Sequence, residues 1–180
     1  MDGDTLRDGI FALNTRRFGS VAEVLIARMA TLGKGRTLFH DLYDELARER
    51  VEVKFSRALK KSEKVITKES VLKCIEEATS LKRMVMWEDR TRIAFDCNIQ
   101  QIKRSEFEHL YYGVFFMDIV AIFRIASNDI GPQIYYSDFQ HKGNVGEGQF
   151  HINNATIGVH EKNYLYQLVT YDKLLELLTS

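Results

Sequence analysis

The sequence predicts a mixed α/β fold in which a central sheet is flanked by helices, and three observations lead there. Apolar residues recur at helical spacing near both ends, in "SVAEVLIARMATLG" and "TYDKLLELL". "RVEVKFS" alternates with a period of two, as a half-buried strand does. "DIVAIFRIAS" is almost continuously apolar, the pattern of a strand covered on both faces. Each element needs a partner for its apolar face, and helices laid on a mixed sheet satisfy all three patterns.

The elements follow in chain order. Residues 5–32 read as one or two helices, with Ser20 as an N-cap and Gly33 as a stop. "TLFHDLYDELARERVEVKFS" ends in a strand. Residues 68–80 are expected to be helical and 92–103 to form a strand. Residues 105–116, "SEFEHLYYGVFF", read as a helix capped by Ser105, its aromatics packing into the core. A buried strand follows at 118–127, and "QIYYSDF" reads as another. The glycine-punctuated "QHKGNVGEGQFHIN" reads as a loop, and a helix from Thr170 ends the sequence.

A length of 180 residues suits one domain with a sizeable core. Hydrophobic residues make up 45% and aromatics 11%, which excludes a disordered chain. No apolar run approaches the roughly 20 residues that span a bilayer, and the acidic start "MDGDTLRDG" is unlike a signal peptide. Cys74 and Cys97 match no metal or redox spacing, so a reduced, cytoplasmic protein without a membrane partner is expected. The 25 basic and 25 acidic residues cancel overall, yet residues 51–104 hold 13 Lys/Arg against 8 Asp/Glu. That local excess suits a face that grips phosphates.

Glu52 and Lys54 lie two apart on one strand, so their side chains share a face. Read as a hairpin turning about Leu46–Ala47, the preceding segment sets Asp41 opposite Glu52 and Asp44 opposite Glu49. Two carboxylates and a backbone carbonyl suit a hard cation such as Mg²⁺, with Lys54 beside the water or phosphate. The alternative is a surface charge pair, with "DLYDELARER" a short helix capped by Asp41, since it is rich in helix formers and lacks a tight-turn residue.

Asp41 followed by Glu52-Val53-Lys54 resembles the Asp…(Asp/Glu)-x-Lys signature of the PD-(D/E)XK nuclease superfamily, and the following "FSRA" is similar to the continuation in many type II restriction endonucleases. The resemblance covers roughly residues 15–127. It implies a restriction-endonuclease-like fold and a Mg²⁺-dependent endodeoxyribonuclease that cuts double-stranded DNA. In it Asp41 and Glu52 hold the metal, Lys54 serves the attacking water, and Glu23 on the preceding helix assists. Glu23 has a second reading, as the acid of a Ser20-x-x-Glu23 capping box. One such site cuts one strand, so the resemblance also implies a homodimer or a partner subunit. A repair or recombination nuclease of the same superfamily and a non-catalytic DNA-binding or regulatory module are the alternatives.

Residues 1–180 would then form a single domain, with DNA reading and a closing helix assigned to 128–180. Arg57, Lys60, Lys61 and Lys64 are expected on the phosphate backbone. Lys103 and Arg104 are expected to contact DNA, beside a second Gln-x-Lys formed with Gln101. Gln140, His141, Lys142, Asn144 and Gln149 carry groups suited to base edges, or else belong to an ordinary polar loop.

Overall fold

The computed structural model describes residues 1–62, 65–139 and 145–180, and the counts below refer to these. Helices α1 (Gly3–Ala12) and α2 (Thr15–Ala30) open the chain. Asp2 caps α1 by accepting from the Thr5 N–H, and Asn14 caps α2 by accepting from the Arg17 N–H. The capping-box reading is therefore corrected. Ser20 lies inside α2, where its hydroxyl donates to the Arg16 carbonyl, because Asn14 starts the helix more than a turn earlier. Glu23 is a mid-helix residue whose side chain is released from any capping duty.

Strands β1 (Gly33–Lys34), β2 (Leu42–Asp44) and β3 (Glu49–Arg57) follow, then short helices α3 (Val71–Glu76) and α4 (Ser80–Arg83). The remaining elements are β4 (Asp96–Ile102), β5 (His109–Phe115), β6 (Ile119–Ala126), β7 (Ser137–Phe139), β8 (Val145–Asn153), α5 (Ile157–Tyr164), β9 (Leu165–Thr170) and α6 (Tyr171–Thr179). Six strands form a mixed sheet in the order β1-β2-β3-β5-β6-β9, in which only β3 and β5 run parallel. Strands β4, β8 and β7 form a second, antiparallel sheet. No described helix is long and apolar enough to cross a membrane.

Two cores result, one on each face of the main sheet. Phe18, Ala22, Leu25 and Ile26 of α2 pack with α1 and α6 on Val51, Val53, Tyr111 and Phe115. On the other face Cys97, Ile99, Phe150 and Ile152 of the small sheet pack on Leu110, Tyr112, Val114 and Phe123. Each such large apolar side chain contributes about 1.5–3 kcal/mol by leaving water.

The helix expected at 105–116 is instead β5, the strand covered by both cores. "HLYYGVF" is aromatic and β-branched, and a strand buried on both faces loses the alternation that would announce it. Gly113 fits this setting, since a Cβ there would collide with the Phe55 ring and the Ala121 carbonyl. The expected strand "QIYYSDF" begins in a 3₁₀ turn that ends at Ile134, and only Ser137–Phe139 is extended. Part of the expected loop, from 145 onward, is strand β8. Residues 128–180 are thus woven into both sheets, β8 beside β4 and β9 beside β6.

Candidate active site

"DLYDELARER" is a strand, a turn and a strand. Asp44 Oδ1 accepts from the Leu46 and Ala47 N–H groups, each at 2.9 Å, and Arg48 takes the left-handed conformation at φ 60°. An acceptor side chain and one left-handed residue together do the work of the missing glycine. The hairpin pairs Asp44 with Glu49, Tyr43 with Arg50 and Leu42 with Val51. One step further along this register stand Asp41 and Glu52.

Strand β2 stops at Leu42, so β3 beyond Val51 has no strand beside it on that edge. Asp41 fills the gap: its Oδ2 accepts from the Val53 N–H at 2.9 Å. The loop ahead of it is closed tightly. The Gly35 N–H donates to the Asp41 carbonyl at 2.9 Å, and a Cβ at Gly35 would strike the His40 carbonyl. His40 Nε2 accepts from the Arg36 N–H at 3.1 Å. Asp41 is thereby held from both of its ends.

The Lys54 ammonium makes a direct ion pair with Glu52 Oε1 and lies 3.9 Å from Asp41 Oδ2. Glu52 is only 9% exposed, and burial pushes its carboxyl up to about 7 despite the opposing pull of Lys54. Burial works against the Lys54 charge as well, but the carboxylates of Glu52, Asp41 and Glu23 outweigh it and raise the amine above its ordinary value. Burial, helped by Asp41, likewise raises the half-buried Glu23. The four residues singled out in the sequence as a catalytic set are therefore electrostatic neighbours.

Of the four, Glu23 and Lys54 line a cleft of about 430 Å³ between α2, β3 and β4, together with Arg16, Asn98, Gln100 and Gln101 among others. Asp41 and Glu52 are hard oxygen donors suited to Mg²⁺. Among the described residues, however, no group of three or more His, Cys, Asp and Glu side chains forms a ready-made metal site. Water or substrate oxygens would have to complete the coordination of an ion held by these two carboxylates.

The residues expected to bind DNA are distributed differently. Arg57 donates to the carbonyls of Phe11 (2.7 Å) and Leu13 (3.0 Å) and lies over the Phe18 ring, so it ties the α1–α2 junction to β3 instead of facing a phosphate. Arg104 is bound to Asp138 and the Ile130 carbonyl, and Lys103 lies 3.5 Å from Glu147. Their positive charge is locally offset. Lys60 and Lys61 are exposed. Gln149 sits on β8, where it accepts from the Asn98 side chain at 3.1 Å. Lys64, Gln140, His141, Lys142 and Asn144 lie outside the described residues.

Sequence reading missed the cleft wall made by Asn98, Gln100 and Arg16. A signal was present in "DCNIQQI", where amides alternate with apolar residues. Comparison with protein-family models, curated proteins and solved structures finds no match for this chain.

Proposed function

We propose that this chain is a Mg²⁺-dependent endodeoxyribonuclease of PD-(D/E)XK type, hydrolysing phosphodiester bonds in double-stranded DNA as a cytoplasmic restriction enzyme. The observation that carries this reading is the meeting of Asp41, Glu52 and Lys54 at the open edge of β3, with Lys54 in contact with Glu52 and 3.9 Å from Asp41. A strand with two carboxylates and an ammonium sharing one partly buried edge is costly to fold, and such perturbed groups gather where chemistry is done.

In this reading Asp41 and Glu52 would hold Mg²⁺. The bound ion supplies positive charge to the reacting phosphate and acidity to its water. Lys54, kept protonated by three carboxylates, donates hydrogen bonds to the attacking water or to a phosphate oxygen and offsets the negative charge that grows there. Val53 contributes through its backbone, since its N–H fixes the direction of the Asp41 carboxylate. Arg16, exposed on the α2 side of the cleft, is placed to meet a phosphate flanking the scissile one. One site cuts one strand, so duplex cleavage calls for a second copy or a partner subunit.

Digestion of supercoiled plasmid tests the proposal. Nicked and linear products are expected with Mg²⁺ or Mn²⁺ and none with EDTA, while Ca²⁺ supports binding without turnover. Cleavage that persists in EDTA would remove the metal. DNA binding without cleavage under any divalent ion would favour the non-catalytic DNA-binding module, and a strong preference for nicked or branched DNA would favour a repair nuclease.

A further inference from the structure

The outer face of the small sheet has an unusual composition. The inward residues of β4 and β8, among them Cys97, Ile99, Ile102, Phe150 and Ile152, are apolar and buried. The outward positions are Asp96, Asn98 and Gln100 on β4 and Glu147, Gln149, His151 and Asn153 on β8. An ordinary solvated sheet face draws on Lys, Glu and Thr, whereas four of these seven side chains are carboxamides. Asn98 stands opposite His151, and Asp96 opposite Asn153.

These amides are held in an array. The Asn98 side-chain nitrogen donates to Gln149 Oε1 at 3.1 Å and reaches Gln100 Oε1 at 3.4 Å. His151 Nδ1 lies 3.0 Å from Asp96 Oδ1, which fixes the imidazole plane. Bonds within the array orient the side chains, and Gln149 Nε2 also reaches the Phe139 carbonyl at 3.5 Å. A carboxamide offers both a donor and an acceptor in one plane, the pattern that pairs with the N6 and N7 edge of adenine.

The array also runs into the cleft. Register between β4 and β8 shifts between Ile99 and Ile102, and Gln101 takes φ 60°, the left-handed region that a side chain with a Cβ rarely adopts. The bulge presents Gln100 and Gln101 side by side on the exposed surface, and both line the cleft with Lys54. Local backbone strain of this kind is held in place only where surrounding structure requires it, and it gathers at ligand-contacting sites.

Resting on the nuclease reading, we propose that this amide face, Asn98, Gln100, Gln101, Gln149 and His151, reads base edges in a groove of duplex DNA whose backbone lies in the Lys54 cleft. Sheet strands enter DNA grooves in other readers, so the geometry needs no helix. The face supplies hydrogen bonding with almost no positive charge, while Arg16 across the cleft supplies charge. That division matches the separation between base readout and phosphate positioning.

Selection from duplex oligonucleotides with a randomised central segment, bound in EDTA by the intact chain and sequenced, tests this directly. The wild-type protein is expected to enrich a defined motif. Asn98→Ala, Gln100→Ala and Gln149→Ala, all substitutions on the surface, should each relax the motif at one or two positions, lowering the preference for the favoured base there by roughly 10-fold. Motifs identical to wild type in all three variants, or binding by the wild type with no motif at all, would overturn the base-reading face. Plasmid cleavage by the wild type in Mg²⁺ separates the two proposals. Cutting with unchanged motifs refutes the face alone, whereas neither cutting nor binding refutes the nuclease reading and the face with it.

Discussion

Two ion pairs sit on the same strand, four residues apart, and they differ in almost every physical respect. Arg50 and Glu108 join β3 to the residue just before β5. The Arg50 Nε lies 3.1 Å from Glu108 Oε1, and the Arg50 backbone N–H donates to Oε2 at 2.6 Å. Both side chains are about 40% exposed, and Glu108 is held below the ordinary carboxylate range by that hydrogen bonding. Lys54 and Glu52 are less exposed, at 24% and 12%, and Glu52 is pushed up to about 7. The first pair satisfies its charges and leaves the solvent access that keeps them inexpensive. The second withdraws its charges from water and leaves the Glu52 carboxylate incompletely compensated. A pair that only stabilised the fold would resemble the first.

The sharpest way to break the comparison is to remove Lys54. Lys54→Ala should lower the rate of plasmid cleavage by about 10²–10⁴-fold while DNA binding, measured by fluorescence anisotropy, stays near wild type. Arg50→Ala should leave that rate within a few-fold. Equal losses would show that the two pairs do the same job.

The second test separates the acids of the hairpin. Asp41→Asn keeps an oxygen that can accept from the Val53 N–H but discards the charge, so it should abolish cleavage and weaken Mg²⁺ binding measured by calorimetry. Asp44→Asn keeps the acceptor for the Leu46 and Ala47 N–H groups and should retain most activity. The reverse result would mean that the metal lies on the turn.

A third test uses burial without any charge partner. His160 is fully buried, stacked on Phe150, with Nδ1 2.9 Å from the Tyr112 hydroxyl, and burial lowers its pKa to about 4. The unfolded chain, with an ordinary value near 6.5, then binds the proton more readily than the folded one. Stability from this group is complete above pH about 6.5 and is lost as pH falls toward 4, by roughly 3 kcal/mol at most. Glu52, raised to about 7, gains stability over the same fall in pH, so the reading is a difference: from pH 7 to pH 4.5 the urea midpoint of the wild type should drop relative to that of His160→Phe. The smallest effect belongs to the exposed pair: Glu108→Ala should cost about 1 kcal/mol or less in urea denaturation.

The candidate site was more legible in the sequence than the strand that supports it. Glu52 and Lys54 stand out because a period of two puts them on one face, and the Asp41 register follows from counting around a turn at Leu46–Ala47. The turn itself was obscure, since Asp44 and Arg48 perform a role usually announced by glycine. "HLYYGVF" was read as a helix because burial on both faces erases periodicity and Ser105 imitates a cap. Ser20 misled in the same way, with Asn14 the true cap. Of the amide face, Gln101 and Gln149 stand out in the sequence, whereas Asn98 and Gln100 read as ordinary polarity until β4 and β8 are set side by side. Arg57 looked like a phosphate ligand, and nothing local reveals that two carbonyls from the α1–α2 junction already claim its guanidinium.

The bond from Val53 to Asp41 has a consequence for how the protein behaves at high concentration. An unpaired strand edge is a template on which another chain can add, and proteins blunt such edges with charge. Where β2 ends, the edge of β3 is guarded by the Asp41 carboxylate, which takes the exposed N–H for itself, and by the Glu52–Lys54 pair beside it. The charges that the proposed hydrolysis would use therefore also guard this edge against a second chain. Asp41→Ala would strip the guard and free the Val53 N–H together, so this substitution should bring self-association as well as inactivity, where Asp41→Asn brings inactivity alone.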